Sequence, residues 1–233
     1  MKHPLVLLPG LLCDAALWEP QLSDLADAAD FFVADLTEHE TMKDMAASVL
    51  RDSLWKEFAL AGLSMGGYVA QEIMRRAPQR VTRLALLDTR SRSELPEETE
   101  RRRQLMDLAK TERGFTPVTN RMLPLMLHSS RVKDAPLVNV IREMAERTGI
   151  EAYIRQQNAI IARPDYRPML PSIACPTLVL CGRQDGLTPL ENSEQMAAAI
   201  PGAKLAVVEE CGHVSTLERP TEVNGAMRDW LRW

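Results

Sequence analysis

Apolar residues along this chain follow two rhythms. Residues 5–8, 31–36, 58–63, 81–88, 177–181 and 204–209 are short, nearly unbroken apolar runs ended by polar, Gly or Pro residues, and they read as strands. Continuous runs, unlike alternating ones, predict burial on both faces, as in a parallel sheet. Between them, apolar positions recur at helical spacing. Pro20 suits the start of a helix running toward Ala28. Thr41-x-x-Asp44 resembles a capping box ahead of Met42, Met45, Ala46, Val49 and Leu50. A helix after Gly66 ends at Arg75-Arg76-Ala77-Pro78, with basic residues in its last turn and a proline stop. Further helices are expected over residues 191–199 and from Thr221, where Val223, Met227, Trp230 and Leu231 share one face. This alternation predicts an α/β fold, a mostly parallel sheet of about six strands flanked by helices.

The alternation stops near Ser91 and resumes near Pro176. Only helical stripes lie between. Leu105, Met106, Leu108 and Ala109 form the first; Met122, Leu123, Leu125 and Met126, interrupted by Pro124, form the second. Leu137, Val138, Val140, Ile141, Met144 and Ala145 form the third, and Ile150, Tyr153, Ile154, Gln157, Ile160 and Ile161 the fourth. Residues 1–90 and 172–233 are therefore expected to form the sheet-bearing core. Residues 91–171 are expected to form an all-helical cap inserted after the fourth strand. Its place in the order predicts a position over the carboxyl edge of the sheet, where open α/β folds bind ligands.

Composition changes this picture little. The 233 residues are 45% hydrophobic and 26% charged, as in an ordinary globular protein, and the net charge of −4 provides no basic field for nucleic acid. No apolar run approaches a membrane span. Met1-Lys2 followed by Leu5 to Leu8 and Cys13 faintly resembles a leader, but Pro9-Gly10 breaks the run, which reads as a buried strand. Cys13, Cys175, Cys181 and Cys211 lack zinc or CxxC spacing, so free thiols in a reducing cytoplasm are expected, with no metal. No dinucleotide-type glycine loop is present, so no cofactor is expected. Residues 91–170 carry 14 Lys and Arg against 11 Asp and Glu, a balance of +3 beside −7 elsewhere. Solvated helix faces account for such a balance. Contact of Arg121, Arg155 or Arg163 with an anionic substrate is the alternative.

The candidate chemistry centres on Gly62-Leu63-Ser64-Met65-Gly66, which joins the third strand to a helix. A sharp strand-to-helix turn lifts a serine hydroxyl clear of the sheet, and the flanking glycines let the two elements approach. A serine needs a base, and the base needs an orienting carboxylate. Of four histidines, His213 follows the sixth strand and reaches the same sheet edge as Ser64. Asp185, in Gly182-Arg183-Gln184-Asp185-Gly186 after the fifth strand, is the expected acid, with Asp88 after the fourth strand as its rival. Two backbone donors are expected to form an oxyanion hole: the Met65 N–H, beside the nucleophile, and the Leu11 N–H, in the loop Pro9-Gly10-Leu11-Leu12-Cys13.

These motifs resemble the α/β-hydrolase superfamily over nearly the whole chain: the oxyanion loop, the elbow at Ser64, the acid loop from Gly182 to Pro189, and Gly212-His213 followed by Leu217-Glu218-Arg219-Pro220. The chain is most similar to compact bacterial members such as 3-oxoadipate enol-lactonases and small carboxylesterases. The resemblance implies a serine hydrolase acting through an acyl-enzyme on a small ester, thioester or lactone. Acyl transfer, C–C bond cleavage or cofactor-free perhydrolysis on the same residues, or a ligand receptor on this scaffold, are the alternatives. A serine at position 64 weighs against dehalogenase and epoxide-hydrolase relatives, which need a carboxylate there. Many relatives carry His-Gly where this chain has Pro9-Gly10. Many also have an extra hairpin before the first strand; by family strand order, residues 31–36 are then an exposed edge, covered by a loop or used in a homodimer.

Overall fold

The computed structural model describes residues 2–111 and 116–233, without side chains at residues 116–118; Met1, the first residue of the leader-like opening, lies outside them. Six strands, β1 (His3–Leu8), β2 (Ala29–Val33), β3 (Phe58–Leu63), β4 (Val81–Leu87), β5 (Thr177–Gly182) and β6 (Lys204–Val208), form one sheet. Their order is β2-β1-β3-β4-β5-β6, and every neighbouring pair is parallel.

Successive side chains of a strand point to opposite faces, and the two cores divide accordingly. Leu5 and Leu7 of β1, Ala59, Ala61 and Leu63 of β3, and Leu178 and Leu180 of β5 enter one core. Val6, Leu8, Phe58, Leu60 and Val179 enter the other. The first core is covered by α1 (Glu19–Asp24) and by α9 (Pro220–Arg232), whose Val223, Met227 and Trp230 are fully buried. The second is covered by α2 (Met42–Asp52), α3 (Met65–Arg76) and α7 (Leu190–Ala199). The strands are apolar throughout because both faces are enclosed.

Local signals set most boundaries. Thr41 caps α2: its Oγ1 accepts the Asp44 N–H at 3.0 Å and donates to Asp44 Oδ2 at 2.6 Å. Strand β1 begins at His3, two residues before the expected run, and two elements differ by three residues or more at one end. The helix after Pro20 stops at Asp24, not near Ala28, because the chain turns back at Leu25 to enter β2 at Ala29. Strand β2 spans Ala29–Val33 rather than 31–36, since the Asp35 carboxylate accepts the Thr37 N–H and hydroxyl in a local turn that ends it. Strand β2 is an edge strand, as expected. Its Phe31, Phe32 and Val33 are half-buried.

Between β4 and β5 run α4 (Pro96–Ala109), α5 (Thr116–Met126) and α6 (Ala135–Ile161). Helix α6 is interrupted at Gly149, whose φ of 78° and ψ of 164° break the helical path. That break separates the two apolar stripes read there from the sequence. A short helix, α8 (Ser215–Glu218), precedes α9. Among the described residues, no helix is long and apolar enough to cross a membrane.

Candidate active site

All four non-glycine residues with positive φ among those described, Leu12, Ser64, Asp88 and Glu210, follow the carboxyl ends of strands β1, β3, β4 and β6. Strained backbone concentrates where a fold places function. Ser64 sits at φ 55° and ψ −114°, immediately before the first turn of α3. A Cβ on Gly62 would lie 2.3 Å from the Gly66 carbonyl oxygen, and one on Gly66 would lie 2.1 Å from that of Leu8. Both positions must be glycine for strand, helix and the loop after β1 to meet. Thr89 Oγ1 donates to the Ser64 carbonyl at 2.7 Å and holds the turn from behind.

Ser64, His213 and Asp185 form one chain of hydrogen bonds. Ser64 Oγ is 2.8 Å from His213 Nε2, and His213 Nδ1 is 2.7 Å from Asp185 Oδ2. Asp185 is fixed by three more donors: the Leu187 N–H and Thr188 N–H, each at 2.8 Å from Oδ1, and Thr188 Oγ1 at 2.6 Å from Oδ2. Burial acts to lower the His213 pKa, but the Asp185 carboxylate, with Asp88 and Glu218 nearby, outweighs it and the net direction is upward. Burial acts to raise the Asp185 pKa, but His213 and the Thr188 donors outweigh it and hold it ionised below the usual range.

Asp88 is placed differently. Its carboxylate accepts the Gly182 N–H at 2.9 Å and the Ser215 hydroxyl, and it makes no hydrogen bond with His213. Burial, and then the neighbouring Asp185 charge, push its pKa up to about 8. Asp88 therefore ties β5 to α8 behind the histidine. Asp88, Cys181 and Asp185 also offer three potential metal-ligand atoms within 4.8 Å of one another. Their chemistry fits a metal poorly, because burial holds the Cys181 thiol protonated and both carboxylates are already engaged by donors.

Leu11 lies in the loop after β1, beside Ser64: a Cβ on Gly10 would be 3.5 Å from Ser64 Cβ. Met65 opens α3, where a helix leaves its first N–H groups without intrahelical partners. Neither N–H donates to another described residue, so both are available to an oxyanion. The Leu12 N–H, by contrast, donates to Gln156 Oε1 at 3.0 Å, and Gln156 Nε2 donates to the Leu36 carbonyl at 3.2 Å. A fully buried side chain of α6 thus fixes the loop that carries Leu11. Sequence reading assigned no role to Gln156, Thr188 or Glu218. The Glu218 carboxylate accepts the Gly212 and His128 N–H groups, each at 2.8 Å. Only the Leu217-Glu218-Arg219-Pro220 motif marked it.

Helix α5 adds a second tie. Its terminal carbonyls lack intrahelical donors, and they accept from the two functional loops instead. Gly186 N–H donates to the Leu125 carbonyl at 3.1 Å, and His213 N–H donates to that of Met126 at 2.6 Å.

A cavity of about 120 Å³ opens onto Ser64 and His213. Leu105, Met122, Met126, Ile141, Ala145 and Ile160 supply much of its wall. Arg121, Arg155 and Arg163, the arginines singled out from the sequence, do not line it. Arg155 Nε donates to the Thr37 carbonyl at 2.8 Å. Arg163 is buried, paired with Glu94 and stacked 4.2 Å over the Tyr68 ring. Arg101 and Arg102 of α4 line the cavity instead.

A parallel sheet with a strained serine elbow, and a histidine and carboxylate at the same edge, define a hydrolase-type α/β protein. The alpha/beta hydrolase family model matches residues 5–226, and the chain belongs to that family. A thermophilic esterase from Thermogutta terrifontis, solved with malate bound, superposes with a TM-score of 0.92 at 32% identity, covering 100% of this chain and 90% of that one. The enol-lactonase from Burkholderia xenovorans LB400 superposes with a TM-score of 0.89 at 27% identity, covering 100% and 93%. The pimeloyl-[acyl-carrier protein] methyl ester esterase of Nitrosomonas europaea is 25% identical over 230 residues, covering 94% of this chain and 91% of the relative.

Proposed function

We propose that the protein is a serine hydrolase that cleaves a small ester, thioester or lactone through an acyl-enzyme on Ser64. The observation that carries this reading is the unbroken chain Ser64 Oγ, His213 Nε2, His213 Nδ1, Asp185 Oδ2, with contacts of 2.8 and 2.7 Å. Esterase and lactonase relatives support the same bond class.

Ser64 Oγ attacks the acyl carbon while its proton passes to His213 Nε2. The carbonyl oxygen becomes an anion that accepts the Leu11 and Met65 N–H groups. On collapse, the bond to the leaving group breaks and His213 returns the proton to the departing oxygen or sulfur. Water then attacks the acyl-enzyme, giving its proton to His213. A second collapse frees the acid and restores the Ser64 hydroxyl. Asp185 holds the histidine tautomer and stabilises the imidazolium in both halves. Every step runs on this chain's own groups, so activity should survive exhaustive chelation.

The helices of residues 91–171 act as a cap. An apolar cavity of about 150 Å³ accommodates benzene in another protein, and the space of about 120 Å³ here sets a similar ceiling. The test is a series of p-nitrophenyl esters of increasing acyl length, with Ser64→Ala as the blank. kcat/KM should rise to a short or medium acyl chain and then fall as overpacking opposes the gain of about 0.8 kcal/mol per buried CH₂. Ser64→Ala should lose activity by a factor on the order of 10⁶. A fluorophosphonate that labels another serine in active protein would overturn the assignment.

A further inference from the structure

The polar corner of the cavity contrasts with the rest of its wall. It is built by Arg101 and Arg102 of α4 and by Tyr153 and Gln157 of α6. Arg102 is engaged there: its Nε donates to Glu94 Oε1 at 2.7 Å and its Nη1 to Gln157 Oε1 at 2.8 Å. Gln157 Nε2 in turn donates to Tyr153 Oη at 2.9 Å. This relay holds Arg102 against the wall. Arg101, the preceding residue, has no ion pair or hydrogen bond to any described residue. It remains solvent-accessible and faces the same cavity as Ser64.

We propose that Arg101 pairs with a carboxylate on the substrate, so that the preferred substrates are half-esters of short dicarboxylic acids. This rests on the hydrolytic reading above and adds the substrate class. A guanidinium offers a planar fork of donors that matches a carboxylate with two parallel hydrogen bonds. On this wall Arg102 is held by Glu94 and Gln157, whereas Arg101 has no hydrogen bond or ion pair to a described residue, so its donors are open to a ligand. A substrate filling the apolar part of the cavity would exclude water from the pair and strengthen it. The small cavity limits the spacer between the acyl carbon and the carboxylate to a few methylenes.

The experiment compares mono-p-nitrophenyl esters of succinic, glutaric and adipic acids with their methyl-capped neutral counterparts. For wild-type protein, the ratio of kcat/KM for the carboxylate over the capped ester should exceed one at the best-fitting length. Arg101→Gln should reduce that ratio about ten- to hundredfold, the range expected for losing a hydrogen-bonded charge. Arg101→Lys should recover part of it. Arg121→Gln, an exposed arginine outside the cavity wall, should leave the ratio as in wild type. Raising ionic strength should lower the wild-type ratio, because a partly exposed pair is screened. A wild-type ratio at or below one for all three lengths, or a ratio unmoved by Arg101→Gln, overturns this inference alone. Failure of wild-type protein to turn over either ester overturns the hydrolytic reading and this inference with it.

Discussion

The carboxyl edge of the sheet and the helical segment above it are held by different forces. At the sheet edge, position is set by backbone. Ser64, Asp88, Leu12 and Glu210 adopt positive φ at strand ends, and close glycine contacts seat the elbow against the loop after β1. In the helical segment, a network of side-chain charges adds to the apolar packing of Leu105, Met106, Ala109, Ala145 and Tyr153. Glu94 is buried among Arg90, Arg102 and Arg163, and Glu98 pairs with Arg90 and Arg92 at 2.7 and 2.6 Å. This network ties the start of α4 to the end of α6. Under the hydrolytic mechanism proposed above, the contrast matches two tasks. Covalent chemistry tolerates little misplacement of reacting atoms, and backbone-anchored groups move least. Substrate selection needs a wall whose chemistry can vary while the chemical centre stays fixed.

The largest test of this division lies at the sheet edge. Asp185→Asn should lower kcat by about 10⁴, because the histidine loses its orienting charge and correct tautomer. Asp88→Asn, one strand away and bonded to Gly182 and Ser215 rather than to His213, should leave most turnover intact. Steady-state kinetics on both variants decide the matter; the reverse order of effects would give Asp88 the acid role. Asp88→Asn should also flatten the dependence of stability on pH. An acid at 3.8 when unfolded and about 8 when folded stabilises the native state at low pH and loses that contribution as pH rises between those values. Thermal melts across that window measure it.

The next test addresses the helical segment. Glu94→Gln leaves Arg163 buried without its counter-charge, and a broken buried ion pair costs about 3–5 kcal/mol. Denaturant unfolding should show that loss. A neutral result would mean that apolar packing, not the ionic network, holds α4 against α6.

Gln156 sharpens the comparison because it joins the two regions. Gln156→Ala frees the Leu12 N–H and the Leu36 carbonyl, and the loop carrying Leu11 loses its anchor. Full removal of an oxyanion donor costs about 10²–10³ in kcat, so loosening one should cost about tenfold, mainly in kcat. An effect confined to KM would place Gln156 in substrate binding instead.

The smallest expected effect concerns pH. His213 must be neutral to accept the Ser64 proton, and its pKa is raised above 6.5. As pH falls through that raised value, kcat/KM should fall with the fraction of neutral imidazole. The acidic limb of the pH profile should therefore lie above pH 6.5. A limb well below that value would show that burial outweighs the Asp185 charge.

Much of this molecule was legible before any coordinates. The six strands were visible because burial on both faces forces continuous apolar runs, and the largest boundary differences fell where local turns decided them, at Leu25 and at Asp35. The meeting of Ser64, His213 and Asp185 was legible because each follows a strand, and a parallel sheet delivers all such residues to one edge. Asp88 met the same criterion, and only the tertiary structure separated it from Asp185, by turning its carboxylate toward Gly182 and Ser215. The partners Thr188, Gln156 and Glu218 left almost no local trace, because their bonds depend on how distant loops pack. The arginines show the limit most plainly. Sequence carries the number of charges in a segment, whereas a charge's availability depends on whether a carboxylate far along the chain has reached it. Glu94 reaches Arg163 and Arg102, no described carboxylate reaches Arg101, and only folding decides which arginine is left open to the cavity.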